Sequence, residues 1–186
     1  MIRTRGGLDA RGKRRGPLHR ALLAATRGDQ MVIDQAISRF DLARREDYGA
    51  MLNVHCTALQ ELKPGWRVED QSDFQAMLRR LHNDIHVLGL PLPSLQPGIR
   101  MSLTGYDRLG AAYVIRGSRL RASALRQRIP PRFVKSYLDF VPQLGWSEFL
   151  AQLDAHAGEE YLERLVIRGA RTTLAMLAHL LVQVRH

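Results

Sequence analysis

Seven histidines and a single cysteine are the residues of this sequence most capable of metal or nucleophilic chemistry. His82 and His86 are four residues apart, so on a helix they share one face, a spacing that can bind zinc. No glutamate stands between them in the pattern of zinc hydrolases, and no cysteine pair accompanies them. Surface or partly buried histidines are therefore the favoured interpretation, and we predict no metal site.

His55 and Cys56 form the second candidate, as a Cys–His catalytic pair. Neighbouring positions on a helix point about 100° apart, so the two side chains diverge and cannot form such a pair. The sequence also contains no glycine-rich phosphate loop, serine elbow or paired-carboxylate pattern. Known catalytic motifs therefore give no reaction for this chain.

A polar residue in an apolar stripe is more informative. In the stretch LLAATRGDQMVIDQAISRFDL, residues 22–42, an amide lies among apolar positions at helical spacing. A buried amide needs hydrogen-bond partners, and leaving it unpaired costs roughly 1–3 kcal/mol. Arg121 or a backbone carbonyl is the partner we expect for this amide, Gln30. The stripe contains Leu22, Thr26, Gln30, Ile33 and Ile37.

Two glycines stand out in the stretch LGAAYVIRGSRLRASAL, which also has helical periodicity. Gly110 and Gly117 are seven residues apart, so they share a helix face. A glycine within a helix costs about 1 kcal/mol relative to alanine, so two of them indicate a close approach to the backbone or a bend. From these residues alone, close packing between helices is the favoured explanation.

Length and composition are those of one globular domain. The chain has 186 residues, of which 45% are hydrophobic and 25% charged. No apolar run approaches the ~20 residues of a membrane helix, and no secretory h-region occurs near the start, so we expect no transmembrane segment. Cys56 is the only cysteine, which excludes an intrachain disulfide. A reducing, cytoplasmic location is expected.

The net charge of +10 is concentrated in two segments. Residues 1–16 carry +5 and have few apolar residues, so we predict a disordered basic N-terminal arm. Residues 116–132 contain six arginines and no acid. Both segments are candidate contacts for a protein partner or an anionic surface such as nucleic acid or membrane. The alternative for the arm is a solvated tail without a partner.

Hydrophobic periodicity is helical almost throughout, and no strand alternation or hairpin signal is found. The pattern predicts an all-α bundle of about seven helices in residues 17–186. A capping box at Ser72 and Gln75 predicts the start of the third helix. The helices are expected at about 17–38, 44–62, 73–88, from 102–106 to near 128, 132–140, and then over LGWSEFLAQLDAH and EEYLERLVIRGARTTLAMLAHLLVQV.

The stretches AATRGDQMVIDQAISRFDL and GAAYVIRGSRLRASAL together resemble the bacterial heme oxygenases, especially those associated with bacteriophytochromes. The segment WSEFLAQLD and the residues Ala170–Thr173 add to the resemblance, which covers most of residues 18–182. It implies a heme-oxygenase-like all-α fold in which the first and fourth helices enclose heme. In that family the first helix supplies a histidine ligand to iron, and heme is converted to biliverdin, iron and carbon monoxide.

On the first helix, the matching positions depart from the family where iron and propionate should bind. Thr26 and Asp34 match the family motif. Gln30 occupies the position of the iron-binding histidine, and an amide oxygen is a hard, weak ligand where imidazole is usual. Leu23 occupies the position of the basic residue that pairs with a propionate.

On the fourth helix, Gly117 and Ser118 match the family. The pair of glycines that should follow, and leave room for dioxygen, is replaced by Arg121 and Ala122. The resemblance thus implies a heme site that has lost its ligand, its propionate contact and its distal space.

A heme-oxygenase-like protein with a degenerate heme site, acting as a non-catalytic binding or regulatory protein, is the favoured hypothesis. One alternative is an active heme oxygenase with an atypical ligand, for which His55 is a better candidate than the distant His19. The other is a non-enzymatic heme carrier or sensor. Heme is the expected cofactor only under these alternatives.

Overall fold

Seven α-helices form the described part of the chain, residues 16–94 and 103–184 of the computed structural model, and no strand occurs there. The predicted all-α class is therefore confirmed. Six helices are long and one spans only six residues. Two short 3₁₀ turns, Lys63–Gly65 and Arg119–Arg121, follow α2 and α4. The helices are α1 (Pro17–Ser38), α2 (Arg45–Leu62), α3 (Val68–Val87), α4 (Asp107–Ser118), α5 (Ala122–Gln127), α6 (Trp146–Asp154) and α7 (Glu160–Gln183).

The predicted first, second, sixth and seventh helices are confirmed, but the predicted start of the third is wrong. α3 begins at Val68, and its N-cap residue is Arg67 rather than Ser72. Two acids in the first turn, Glu69 and Asp70, favour a helix start here because they complement the helix dipole. The Arg67 Nε also donates to Asp70 Oδ2 at 2.5 Å.

The helix predicted over 132–140 is absent, and the segment is a series of turns. Its backbone groups are satisfied by side chains from other elements instead of by a helical ladder. The carboxylate of Asp84 accepts hydrogen bonds from the Ser136 hydroxyl and the Tyr137 amide. The Arg119 guanidinium donates to the carbonyls of Tyr137, Leu138 and Phe140. These long-range partners override the local helical pattern.

The fourth predicted helix is also divided. α4 ends at Ser118, and a 3₁₀ turn precedes the short α5. The Ser118 hydroxyl donates to the Ile115 carbonyl at 2.7 Å, which is a local bond that competes with regular helix geometry. This division sets which side chains of 119–122 point inward. Residues 95–102, where the sequence placed part of the start of this helix, lie outside the described residues.

The start of α1 is held by the end of α6. Asp154 Oδ1 accepts the amides of Leu18 at 3.0 Å and His19 at 3.2 Å, which are among the four amides that a helix N-terminus leaves unpaired. A side chain on Gly16 would overlap the Asp154 carboxylate. The basic arm predicted for 1–16 lies outside the described residues except for Gly16.

α4 and α7 pack backbone to backbone through glycines. A Cβ on Gly110 would overlap the Val166 carbonyl, and a Cβ on Gly169 would overlap the Asp107 carbonyl. Arg168 strengthens the same contact with bonds of 2.9 and 2.7 Å to the two carboxylate oxygens of Asp107. The close packing predicted for Gly110 is therefore confirmed.

α7 is long and apolar enough, by length and composition, to cross a membrane. Its most apolar window has a mean hydropathy of 1.4, and half of that window is buried inside the protein. The core helix of a soluble protein has the same properties, so this is weak evidence for a span. The expectation of no transmembrane segment is not contradicted by this helix.

We expect the Gly110→Ala substitution to lower the free energy of unfolding by about 2–3 kcal/mol, because the new methyl group would force α4 away from α7. Gly28→Ala is the matched control, since Gly28 lies within α1 with no atom near its missing Cβ. This control should raise stability by roughly 0.5–1 kcal/mol. Urea unfolding of both variants measures the two effects, and equal responses would contradict the proposed packing role.

Candidate functional site

A cavity of about 540 Å³ lies between α1, α2, α4 and α7. Its volume falls within the roughly 300–1,000 Å³ range of small-molecule sites. One face of α1 forms a wall along most of the helix. The residues from this helix are His19, Leu23, Gln30, Ile33 and Ile37.

The other walls are mostly apolar and come from five further helices and the 3₁₀ turn after α4. α7 contributes three leucines at helical spacing, and α6 contributes the residues of its first turn. The polar groups are few: two serines, His55, Tyr113 and Arg121. The residues of these walls are Val54, His55, Tyr113, Val114, Gly117, Ser118, Leu120, Arg121, Leu125, Trp146, Ser147, Leu174, Leu177 and Leu181.

Gln30 faces the cavity and is held by its own helix. Its Nε2 donates to the Thr26 Oγ1 at 3.0 Å, and that hydroxyl donates to the Leu22 carbonyl at 2.7 Å. Thr26 is fully buried and does not line the cavity, so it acts by orienting the amide. The expected pairing of Gln30 with Arg121 or a backbone carbonyl is wrong for the amide nitrogen, because a local hydroxyl takes that role.

Arg121 pairs instead with Asp34. Its Nη1 lies 2.5 Å from Asp34 Oδ1, and each side chain is 47% exposed, so the pair lies where the cavity meets solvent. A guanidinium binds a carboxylate more strongly than it binds a neutral amide, which explains why Arg121 pairs with Asp34 and not with Gln30. Among the described residues that line the cavity, Arg121 is the only Lys or Arg, and no Asp or Glu is present.

The remaining site residues predicted on the fourth helix of the sequence pattern separate into two groups. Gly117 and Ser118 line the cavity, and a Cβ on Gly117 would lie 3.5 Å from the Trp146 ring, in ordinary contact. Ala122 is 6% exposed and does not line the cavity. Ala122 follows the 3₁₀ turn that contains Arg121 and lies in the core, so it does not share this cavity with Gly117 and Ser118.

His55 lines the cavity from α2 and is partly buried. Its Nδ1 lies 3.0 Å from the Tyr137 hydroxyl. Burial, with a smaller contribution from the charge of Arg119, lowers the pKa of His55 to about 4. The imidazole is therefore neutral at pH 7. In contrast, burial raises the pKa of the neighbouring Cys56 to about 12, so its thiol is a poor nucleophile.

His19 lines the cavity near the start of α1, although it was the weaker of the two candidate ligands because of its distance from Gln30. Its ring packs edge-on against Tyr113 and Trp146, at centroid distances of 5.9 and 6.1 Å. The sequence analysis also missed the α7 leucines. Their spacing at 174, 177 and 181 was a usable signal for an inward face, but not for which helices that face would meet.

The side chains that could bind a metal ion do not cluster in the described part of the chain. Within residues 16–94 and 103–184, no three or more His, Cys, Asp or Glu side chains are grouped to hold an ion. The His82 ring, one of the i, i+4 pair, lies 3.4 Å from the Gln60 amide nitrogen.

The arginines of 116–132 all have partners inside the protein. Each guanidinium either pairs with a carboxylate or donates to backbone carbonyls, so the segment joins distant parts of the bundle. Charge patterning along the sequence did not indicate this internal role. The partners are Asp70 and Asp73 for Arg116, the carbonyls of 137, 138 and 140 for Arg119, Asp34 for Arg121, Asp139 for Arg126, the Phe40 carbonyl for Arg128 and the Ala43 carbonyl for Arg132.

The fold and cavity define an all-α protein with a largely apolar, ligand-sized cavity between its helices. No model of a known protein family matches the chain, and no curated protein matches it either. Of the eight site residues that the sequence predicted, the cavity brings together six, Leu23, Gln30, His55, Gly117, Ser118 and Arg121, and leaves out Thr26 and Ala122.

We expect stability to fall as pH decreases from about 6.5 to about 4 because of His55. In this window the unfolded chain binds a proton at His55 that the folded protein does not bind, so acid favours unfolding. The contribution at pH 5 is about 2 kcal/mol relative to pH 7. Urea unfolding at both pH values should show a smaller loss for His55→Gln than for the wild type. An equal loss in both proteins would contradict the depressed pKa.

Proposed function

We propose that this protein is a heme-oxygenase-like binding protein that does not turn over heme. In this proposal, the cleft between the first and fourth helices is kept as a site for an organic ligand. The observation that carries it is the composition of the cavity walls. One cavity is lined by Leu23 and Gln30 on α1, Gly117 on α4 and Arg121 in the 3₁₀ turn after α4. These are positions that the resemblance assigns to a heme pocket.

The residues present do not fit the heme site of that family. The α1 position expected to hold a ligating imidazole presents the Gln30 amide, whose nitrogen is already bonded to Thr26. Leu23 offers no charge to a propionate. Arg121 brings a charged group to the wall at a position where the family has glycine. We therefore derive no oxidation step through this site.

The apolar walls supply what a binding protein needs. Side chains of Ile33, Leu174 and Leu177 would cover an apolar ligand and exclude water, which favours binding at roughly 25 cal/mol per Å² of buried apolar surface. The few polar groups would orient one end of the ligand. A cytoplasmic location is part of this proposal, since the only cysteine, Cys56, is a buried free thiol.

A heme carrier is the second candidate, and one observation favours it. His55 presents an imidazole that is neutral at pH 7 to the cavity, and neutral imidazole is the form that binds iron. His55 would hold the heme iron, and heme bound there would supply a metal that can bind small molecules. An active heme oxygenase with His55 as an atypical ligand would share this site and would also have to produce biliverdin.

Heme titration followed by attempted turnover separates these functions. We expect no stoichiometric Soret band for the wild type and no biliverdin with a reductant and oxygen. Gln30→His should produce a Soret band, because it returns an imidazole to the α1 wall. Gln35→His is the matched control, since Gln35 is exposed on the same helix and does not line the cavity.

A wild-type Soret band that disappears in His55→Ala would favour the heme carrier instead. Biliverdin formed by the wild type at an ordinary enzymatic rate would overturn the proposed function. A band that appears equally in Gln30→His and Gln35→His would show surface attachment of heme and would contradict the assignment of Gln30 to the cavity.

A further inference from the structure

We propose that the ligand of the cavity is an extended apolar molecule with a single carboxylate, which binds Arg121 in place of Asp34. This inference rests on the proposed function as a binding protein and names the chemical class of its ligand. Three observations carry it: the length of α1 that lines the cavity, the single Lys or Arg among the described lining residues, and the partially exposed ion pair at its edge.

The cavity extends along much of α1. α1 lines it from His19 to Ile37, a distance of 18 residues, or about 27 Å of helix. An elongated ligand can therefore lie along α1 within the cavity.

The charge of the lining is asymmetric along this length. At one end, the rings of His19, Tyr113 and Trp146 pack against one another. Arg121 lies towards the other end and is the only Lys or Arg among the described lining residues, which include no Asp or Glu. A ligand complementary to this lining is apolar along its length and carries one negative group at one end.

A carboxylate matches the guanidinium, because two parallel N–H···O bonds can form. In the structure, Asp34 already provides such a group from outside the cavity lining. Exposed ion pairs of this kind contribute little to stability. A ligand carboxylate can therefore take over the guanidinium, and Asp34 then returns to water.

Isothermal titration with dodecanoate and dodecan-1-ol tests the inference, because the two compounds share the chain and differ in charge. We expect dodecanoate to bind the wild type at least about 10-fold more tightly than the alcohol. Arg121→Gln should reduce dodecanoate affinity about 10-fold or more and leave alcohol affinity unchanged. Quenching of Trp146 fluorescence, absent in Trp146→Phe, reports binding in this cavity.

Asp34→Asn provides a variant with the opposite expected sign. It removes the competing carboxylate, so dodecanoate affinity should increase several-fold. Arg126→Gln is the matched control, because Arg126 belongs to the same basic segment and pairs with Asp139 without lining the cavity. It should leave both affinities unchanged.

Equal affinities for the acid and the alcohol would overturn this inference and leave the proposed binding function intact. A loss of dodecanoate affinity in Arg126→Gln as large as that in Arg121→Gln would also overturn it, since the effect would then come from net charge. If neither compound binds, the inference fails, and the heme titration decides the proposed function separately.

Discussion

The buried ion cluster around Arg116 is the constraint on which the arrangement of α4 depends. Its guanidinium lies 2.7 Å from Asp70 and 3.0 Å from Asp73, both on α3, and donates to the Leu144 carbonyl at 3.1 Å. Arg67 balances the second negative charge through Asp70. Removing one member of such a buried group costs about 3–5 kcal/mol, because the others are left charged and unpaired. The cluster fixes the rotation of α4, and the Gly110 contact fixes its distance from α7.

These two contacts explain why α4 can form a wall of the cavity. With Arg116 directed towards α3 and Gly110 pressed against α7, Val114 and Gly117 face α1. The loop after α5 is fixed in the same way, by the carboxylate of Asp84 and the guanidinium of Arg119. The basic composition of 116–132 thus has a structural cause, because its arginines bind carboxylates and carbonyls of the same protein.

Two of the polar groups that line the cavity are restrained by neighbouring side chains. Gln30 is oriented by Thr26, and His55 lies beside the Tyr137 hydroxyl in its neutral form. Arg121 differs from them, because its carboxylate partner, Asp34, is half exposed. In the proposed complex, a ligand carboxylate replaces Asp34. The cavity has apolar walls, restrained neutral groups and one arginine whose ion-pair partner is half exposed. This combination agrees with a proposed role in binding rather than in oxidation.

The sequence by itself determined the all-α class, the long helices and the inward face of α1 that carries Gln30. Those features follow from apolar periodicity and from breakers such as Pro17 and the Lys63–Gly65 turn, which act over a few residues. Tertiary structure alone decided the conformation of 132–140, the burial of Ala122 and the partner of Arg121. The Asp34–Arg121 pair joins residues 87 positions apart. Local patterns carry no information about which of several carboxylates a guanidinium will meet, because that choice is made when the helices pack.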